Sequence, residues 1–263
     1  MRTSIKALLA STLFVSTLAV ASPALADETA PPSDFKITGS AAVTSQYRFR
    51  GISQSNNRPA VQGAITVAHS SGFYVSTWGS SASAGDGAVN IGGTEIDVYG
   101  GYTHGLGNSG VTIDAGLYGY IYPGAPAGNY YEIYGSLAKA FGPVNAKAGV
   151  YFAPKQSALD SYPTHHNTYV YGELSGGIPG TPITLHSHLG HTGGGFDWAG
   201  KQYLDYSVGA SVAWKNLTLD ASVVGTNVGR SDTALASPSD AVYANELYRA
   251  AKTVGVVSLT ASF

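Results

Sequence analysis

Hydrophobic and polar positions alternate along most of this chain. Over 217–226, Leu217, Leu219, Ala221 and Val223 fall on one side of an extended backbone, and Thr218, Asp220 and Ser222 on the other. The same period recurs where Leu204, Tyr206, Val208, Ala210, Val212 and Trp214 alternate with Asp205, Ser207, Gly209 and Ser211. At the C-terminus Val257, Leu259, Ala261 and Phe263 alternate with Val256, Ser258, Thr260 and Ser262. Successive side chains of a strand point to opposite faces, so a period of two describes strands with one apolar and one polar face. No helical period fits these runs.

Applied along the whole chain, this test predicts twelve strands, near 35–50, 59–70, 72–80, 94–103, 111–122, 129–140, 144–152, 168–178, 183–191, 203–215, 217–226 and 254–263. The connections alternate in length. Ser70-Ser71-Gly72, 106–110, Phe141-Gly142-Pro143, 179–182 and Lys215-Asn216-Leu217 are tight and built of turn-forming residues. Between them lie longer pieces at 51–58, 81–93, 123–128, 153–167, 192–202 and 227–253. An even strand count with short turns on one side and longer loops on the other predicts an all-β, antiparallel transmembrane barrel. Short turns then face the periplasm, together with both termini.

One segment breaks the rhythm. Residues 239–252, with Glu246, Leu247, Tyr248 and Arg249, read as a short helix capped at Ser239 or Asp240. A plain surface helix is the simpler role for it; the other is to fold over or into the barrel mouth. Aromatics sort by end. Tyr47, Phe49, Tyr120, Tyr122, Tyr130, Tyr131, Tyr151, Phe152, Tyr169, Tyr171 and Tyr203 stand at loop ends, and Phe35, Phe73, Phe141, Trp214 and Phe263 at turn ends. Two girdles at the membrane–water boundaries are expected from this.

The N-terminus carries an export signal: Arg2 and Lys6, then the apolar run 7–20, then Ala24-Leu25-Ala26. Residues 1–26 are expected to be removed, leaving a short periplasmic leader over 27–34 and the barrel over 35–263. The apolar run is shorter than the roughly 20 residues of a spanning helix. Charged residues make up only 11% of the chain, against about 25% in an average soluble domain, as suits a surface that faces lipid. Removing Arg2 and Lys6 takes the net charge from −2 to −4, so no basic footprint for nucleic acid exists. With no Cys there is no disulfide framework and no cysteine-held metal.

By parity the polar face carries Lys36, Arg48, Arg50, Glu95, Asp97, Asp114, Glu132, Lys147, Glu173, His186, His188, Asp205 and Asp220. These are the candidate pore-lining residues. Such charges either pair to hold the wall together or set the preference of a polar path. His186 and His188 share a face and His191 follows, while His165 and His166 sit in a loop. No acidic partner is set beside them by spacing, so they are read as lumen-lining and no metal site is assigned. Phosphate-binding and zinc-helix patterns are missing, and no cofactor or catalytic residue is called for. Ser187 lies between His186 and His188 but on the opposite strand face, where a lipid-modifying enzyme would need its base within reach.

The stretches Tyr47-Arg48-Phe49-Arg50-Gly51-Ile52-Ser53-Gln54-Ser55, Pro59-Ala60-Val61-Gln62-Gly63, Ser71-Gly72-Phe73-Tyr74-Val75-Ser76-Thr77-Trp78-Gly79-Ser80 and Glu95-Ile96-Asp97-Val98-Tyr99-Gly100-Gly101-Tyr102 resemble the TorF-type porin family of proteobacteria. The resemblance is strongest over 35–122 and further on rests on strand rhythm and the terminal Phe. It implies an outer-membrane barrel of porin type, with no catalytic residues. A passive channel for small polar or ionic solutes is therefore expected, with a lipid-modifying enzyme or a plugged binding or adhesion barrel as the alternatives. Its expected partners are outer-membrane lipid, the solutes, and the barrel-assembly machinery, which would read the terminal strand ending in Phe263. Neither the solute nor the oligomeric state has a sequence signature.

Overall fold

The computed structural model describes residues 34–85, 87–159 and 165–263. The expected export signal over 1–26 and all but Asp34 of the leader lie outside the described residues. The strands are β1 (Phe35–Thr44), β2 (Arg48–Phe49), β3 (Ile52–Ser53), β4 (Ala60–His69), β5 (Phe73–Ser81), β6 (Thr94–Gly105), β7 (Val111–Ile121), β8 (Tyr130–Phe141), β9 (Val144–Ala153), β10 (Asn167–Gly177), β11 (Ile183–Gly194), β12 (Tyr203–Trp214), β13 (Leu217–Thr226) and β14 (Val254–Ser262). Among the described residues, every strand except β2 and β3 joins one closed antiparallel barrel of twelve, in which β1 pairs with both β4 and β14. Among the described residues the barrel leaves no edge open, which a wall in lipid requires because no water is there to satisfy the edge.

Alternation decides the wall. Val208 and Val223 face each other across β12 and β13 and are 64% and 53% exposed, whereas Asp220, of opposite parity on β13, is buried. Ile65, Val75, Leu117, Ile133, Leu174 and Leu259 extend the same apolar outer surface. At the turn end Phe35, Phe73, Phe141, Trp214 and Phe263 are all outward and exposed, giving the expected girdle.

Tight turns join the strands at that end. Gly72 has φ +104 and a Cβ there would meet the Thr103 carbonyl oxygen, so only glycine makes this turn. The barrel seam is sealed by the last residue. Phe263 and Gly39 exchange backbone hydrogen bonds of 2.8 and 3.0 Å, and the Phe263 ring lies where a Cβ on residue 39 would stand.

Two expectations about the first strand and the aromatics change. The first strand does not run to Arg50; it ends at Thr44. Arg50 and Gly51 take positive φ (47° and 77°), so the chain reverses into the β2–β3 hairpin and turns inward, where Arg48 and Arg50 find acceptors. The second concerns the loop-end aromatics. Tyr47, Tyr120, Tyr122, Tyr130, Tyr151, Tyr169, Tyr171 and Tyr203 are buried inside the barrel, while only Tyr131 and Phe152 of that set are strongly exposed. Most of the predicted outer girdle is an interior aromatic core.

Residues 227–253 form two helices, α1 (Arg230–Ala236) and α2 (Ala241–Ala251). The Asp240 side chain caps α2 by accepting from the Tyr243 N–H at 2.9 Å. Instead of lying as a plain surface helix, α2 buries Ala244, Leu247, Ala250 and Ala251. Ala250 and Ala251 pack with Ile52, Tyr203 and Val228 over the mouth.

Candidate functional site: the barrel lumen

Side chains of β6 to β10 fill the loop half of the lumen. Tyr120 stacks on Tyr130 with ring centres 4.2 Å apart, and Tyr99 on Tyr118 at 4.5 Å. Into this stack the inward-folded segment 45–59 inserts Arg50. Its Nη2 lies 2.6 Å from Glu132 Oε2, and its guanidinium carbon lies 4.3 Å from the centre of the Tyr169 ring. Tyr120 donates to the same Glu132 oxygen at 2.9 Å. Arg48 is held differently: Nη1 donates to the Gly51, Ala250 and Lys252 carbonyls and Nη2 to Asn57 Oδ1. A guanidinium with its five donors can serve several acceptors at once, so it ties the hairpin to the end of α2.

The turn half is more open and keeps its charges in short chains across neighbouring strands. His186 Nε2 lies 2.6 Å from Asp220 Oδ2, and Ser222 donates to the other Asp220 oxygen at 2.6 Å. His188 bridges Glu173 (3.3 Å) and Asp205 (3.1 Å). The acidic partners of these histidines come from other strands, which is why spacing within β11 did not disclose them. Tyr74 donates to Asp114 at 2.9 Å and also meets Tyr134. Lys147 sits opposite Glu173 in the ladder, above the Tyr171 ring. Across the barrel the wall is of small residues, with Ser40, Ala42, Ala64, Thr66 and Ser258 half-buried on β1, β4 and β14.

Most of the sequence-predicted set is thus inward. Glu95, Asp97, Asp114, Glu132, Lys147, Glu173, His186, His188, Asp205 and Asp220 stand on the inner face of barrel strands, and Lys36 is exposed at the turn-end rim. Arg48 and Arg50 enter the lumen from the hairpin, not from the wall. Ser187 pairs with Leu174 and Val208 on the lipid face, and among the described residues no hydrogen bond joins it to a histidine. Among the described residues no group of three or more His, Asp or Glu is arranged to hold a metal ion.

The buried tyrosines were legible by parity. Tyr118 and Tyr120 share it with Asp114, Tyr130 with Glu132, Tyr169 and Tyr171 with Glu173, and Tyr203 with Asp205. Sorting by strand end overlooked this, because an aromatic near an interface suits either face.

Over the mouth, Trp198 Nε1 donates to the Leu247 carbonyl at 3.0 Å, and Thr226 donates to that of Ala251 at 2.9 Å. Outside the barrel Lys201 bridges to Asp232 at 3.0 Å. The Gly229 N–H and then Lys201 hold the Asp232 carboxyl below the usual range.

Two solved porins share this fold. The chain is similar to the NanC porin, at a TM-score of 0.55 and 11% identity, with 87% of this chain and 99% of that chain covered. It is also similar to the KdgM porin, solved in complex with disordered oligogalacturonate, at a TM-score of 0.52 and 13% identity, covering 86% of this chain and 98% of that one. At these identities the likeness concerns the fold. Among curated proteins none matches. The family model described as a bacterial protein of unknown function (Gcw_chp) matches residues 28–263, and the chain belongs to that family.

Proposed function

We propose that this protein is an outer-membrane channel for passive diffusion of small polar or ionic solutes, closed at its loop end by the β2–β3 hairpin and α2. The observation that carries this reading is the wall itself. A closed barrel with an apolar exterior surrounds a lumen lined by Asp114, Lys147, Glu173, His186 and Asp220, and charged linings serve to select solutes. The fold shared with porins and the resemblance to the TorF-type family support it. The export signal over 1–26, the leader over 27–34 and a barrel-assembly signal at Phe263 complete the proposal.

Planar-bilayer recording with purified, refolded protein tests it. Stepwise conductance with a weak preference for cations is expected, because inward carboxylates outnumber inward Lys and Arg. Conductance should rise when Arg50→Gln loosens the hairpin. A second reading, a plugged binding barrel, is favoured by one observation: the Arg50–Glu132 pair lies fully buried inside the loop half. No conductance from wild type or from the hairpin variant would select the plugged barrel.

A further inference from the structure

The loop half of the lumen does not balance its charge. Glu95, Asp97, Glu132 and Asp205 are all at most 1% exposed there. Arg50 answers Glu132, and His188 answers Asp205. Among the described residues no Lys, Arg or His forms an ion pair with Glu95 or Asp97.

These two are neighbours on one face of β6, since residues two apart on a strand point the same way. Each has one oxygen served by a phenol: Tyr122 donates to Glu95 Oε1 at 3.3 Å and Tyr118 to Asp97 Oδ2 at 2.8 Å. The other oxygens, Glu95 Oε2 and Asp97 Oδ1, are buried and receive no hydrogen bond. The two carboxyl groups are near enough to interact directly. A third, independent group points at the same place. Tyr47, 2% exposed and contributed by the hairpin segment instead of the wall, brings its hydroxyl beside Glu95 without a hydrogen bond of normal geometry.

Two buried carboxylates side by side repel strongly, and each is costly to bury as an uncompensated ion. A shared proton or a cation between them relieves that repulsion. The donors on offer are all hard oxygens, the set that suits Ca²⁺ or Mg²⁺ and not a soft metal. The pair carries two negative charges, which a divalent cation neutralises. We propose that Glu95 Oε2, Asp97 Oδ1 and the Tyr47 hydroxyl form a site for a hard divalent cation, with water filling the remaining positions. Because Tyr47 belongs to segment 45–59, the bound cation fastens that segment to β6. This inference does not depend on whether the barrel conducts.

The test uses the whole mature protein, refolded from urea into detergent with either excess Ca²⁺ or excess EDTA. Thermal unfolding is expected at a higher temperature with Ca²⁺. Asp97→Asn, and the milder Tyr47→Phe, which keeps its ring packed on Trp78, should lose that difference. Tb³⁺ added to EDTA-treated protein should luminesce when tyrosine is excited, and Ca²⁺ should quench the signal in wild type. If neither Ca²⁺ nor Mg²⁺ moves the unfolding temperature and Tb³⁺ stays dark, the pair shares a proton and the proposal fails. A shift retained in full by both variants would place the cation elsewhere and overturn it equally.

Discussion

Arg50 Nη2 and Glu132 Oε2 stand 2.6 Å apart, joining an inward-turned hairpin to the opposite wall with both side chains almost wholly buried. Removing one partner strands the other charge, a loss of about 3–5 kcal/mol for a buried pair. Glu132→Gln should therefore lower the unfolding temperature in detergent markedly. The double variant Arg50→Gln/Glu132→Gln should be less destabilised than Glu132→Gln alone. A double-mutant cycle with no coupling would show that the contact carries no stability.

The same geometry bears on ion selectivity. Arg48 is spent on carbonyls and Arg50 on Glu132, so neither offers free charge to a passing ion. Replacing both by Gln should mainly reduce heat stability and leave the reversal potential of any conducting species nearly unchanged. A shift toward cations, larger at low salt where screening is weak, would instead place these arginines on the ion path.

The register of β13 is testable by exchanging one position for the next. Val223 faces lipid beside Val208, and Arg near mid-membrane on that face costs about 2–4 kcal/mol. Ser222 points inward and already donates to Asp220, so an arginine there finds a carboxylate. Val223→Arg should fold far less efficiently than Ser222→Arg, measured as the heat-resistant fraction on gels. Equal yields would contradict the register.

Phe263 closes the seam against Gly39, so its deletion removes two ladder hydrogen bonds and a girdle ring at once. Outer-membrane yield should fall, with protein left in the periplasm. An unchanged yield would show that insertion depends on other parts of β14.

Asp232 holds the start of α1 through Gly229 and Lys201. Its pKa is lowered in the folded state, so its contribution is present above the unfolded value of about 3.9 and fades as pH falls through the folded value. Limited proteolysis of the 227–253 segment should accelerate at pH below about 4 relative to pH 6. In Asp232→Asn this pH dependence should be reduced; if it is unaltered, another group governs the segment.

Period-two alternation by itself determined the barrel, its twelve strands, the tight turns, the lipid face and the inward direction of Glu132, Glu173, Asp205 and Asp220. It could do so because strand facing is a local property, set by parity and enforced by the cost of placing charge in lipid. The same parity, followed strictly, also placed Tyr120, Tyr130 and Tyr171 inside. Tertiary structure alone decided what those side chains meet. Arg50 and Glu132 are 82 positions apart, and His186 and Asp220 are brought together only by the ladder order of β11, β12 and β13. The reversal at Arg50 and Gly51, which turns the end of the first predicted strand into a plug, answers to acceptors waiting in the lumen. Local alternation has no term for partners that distant, so the wall was readable residue by residue and the closure of the mouth was not.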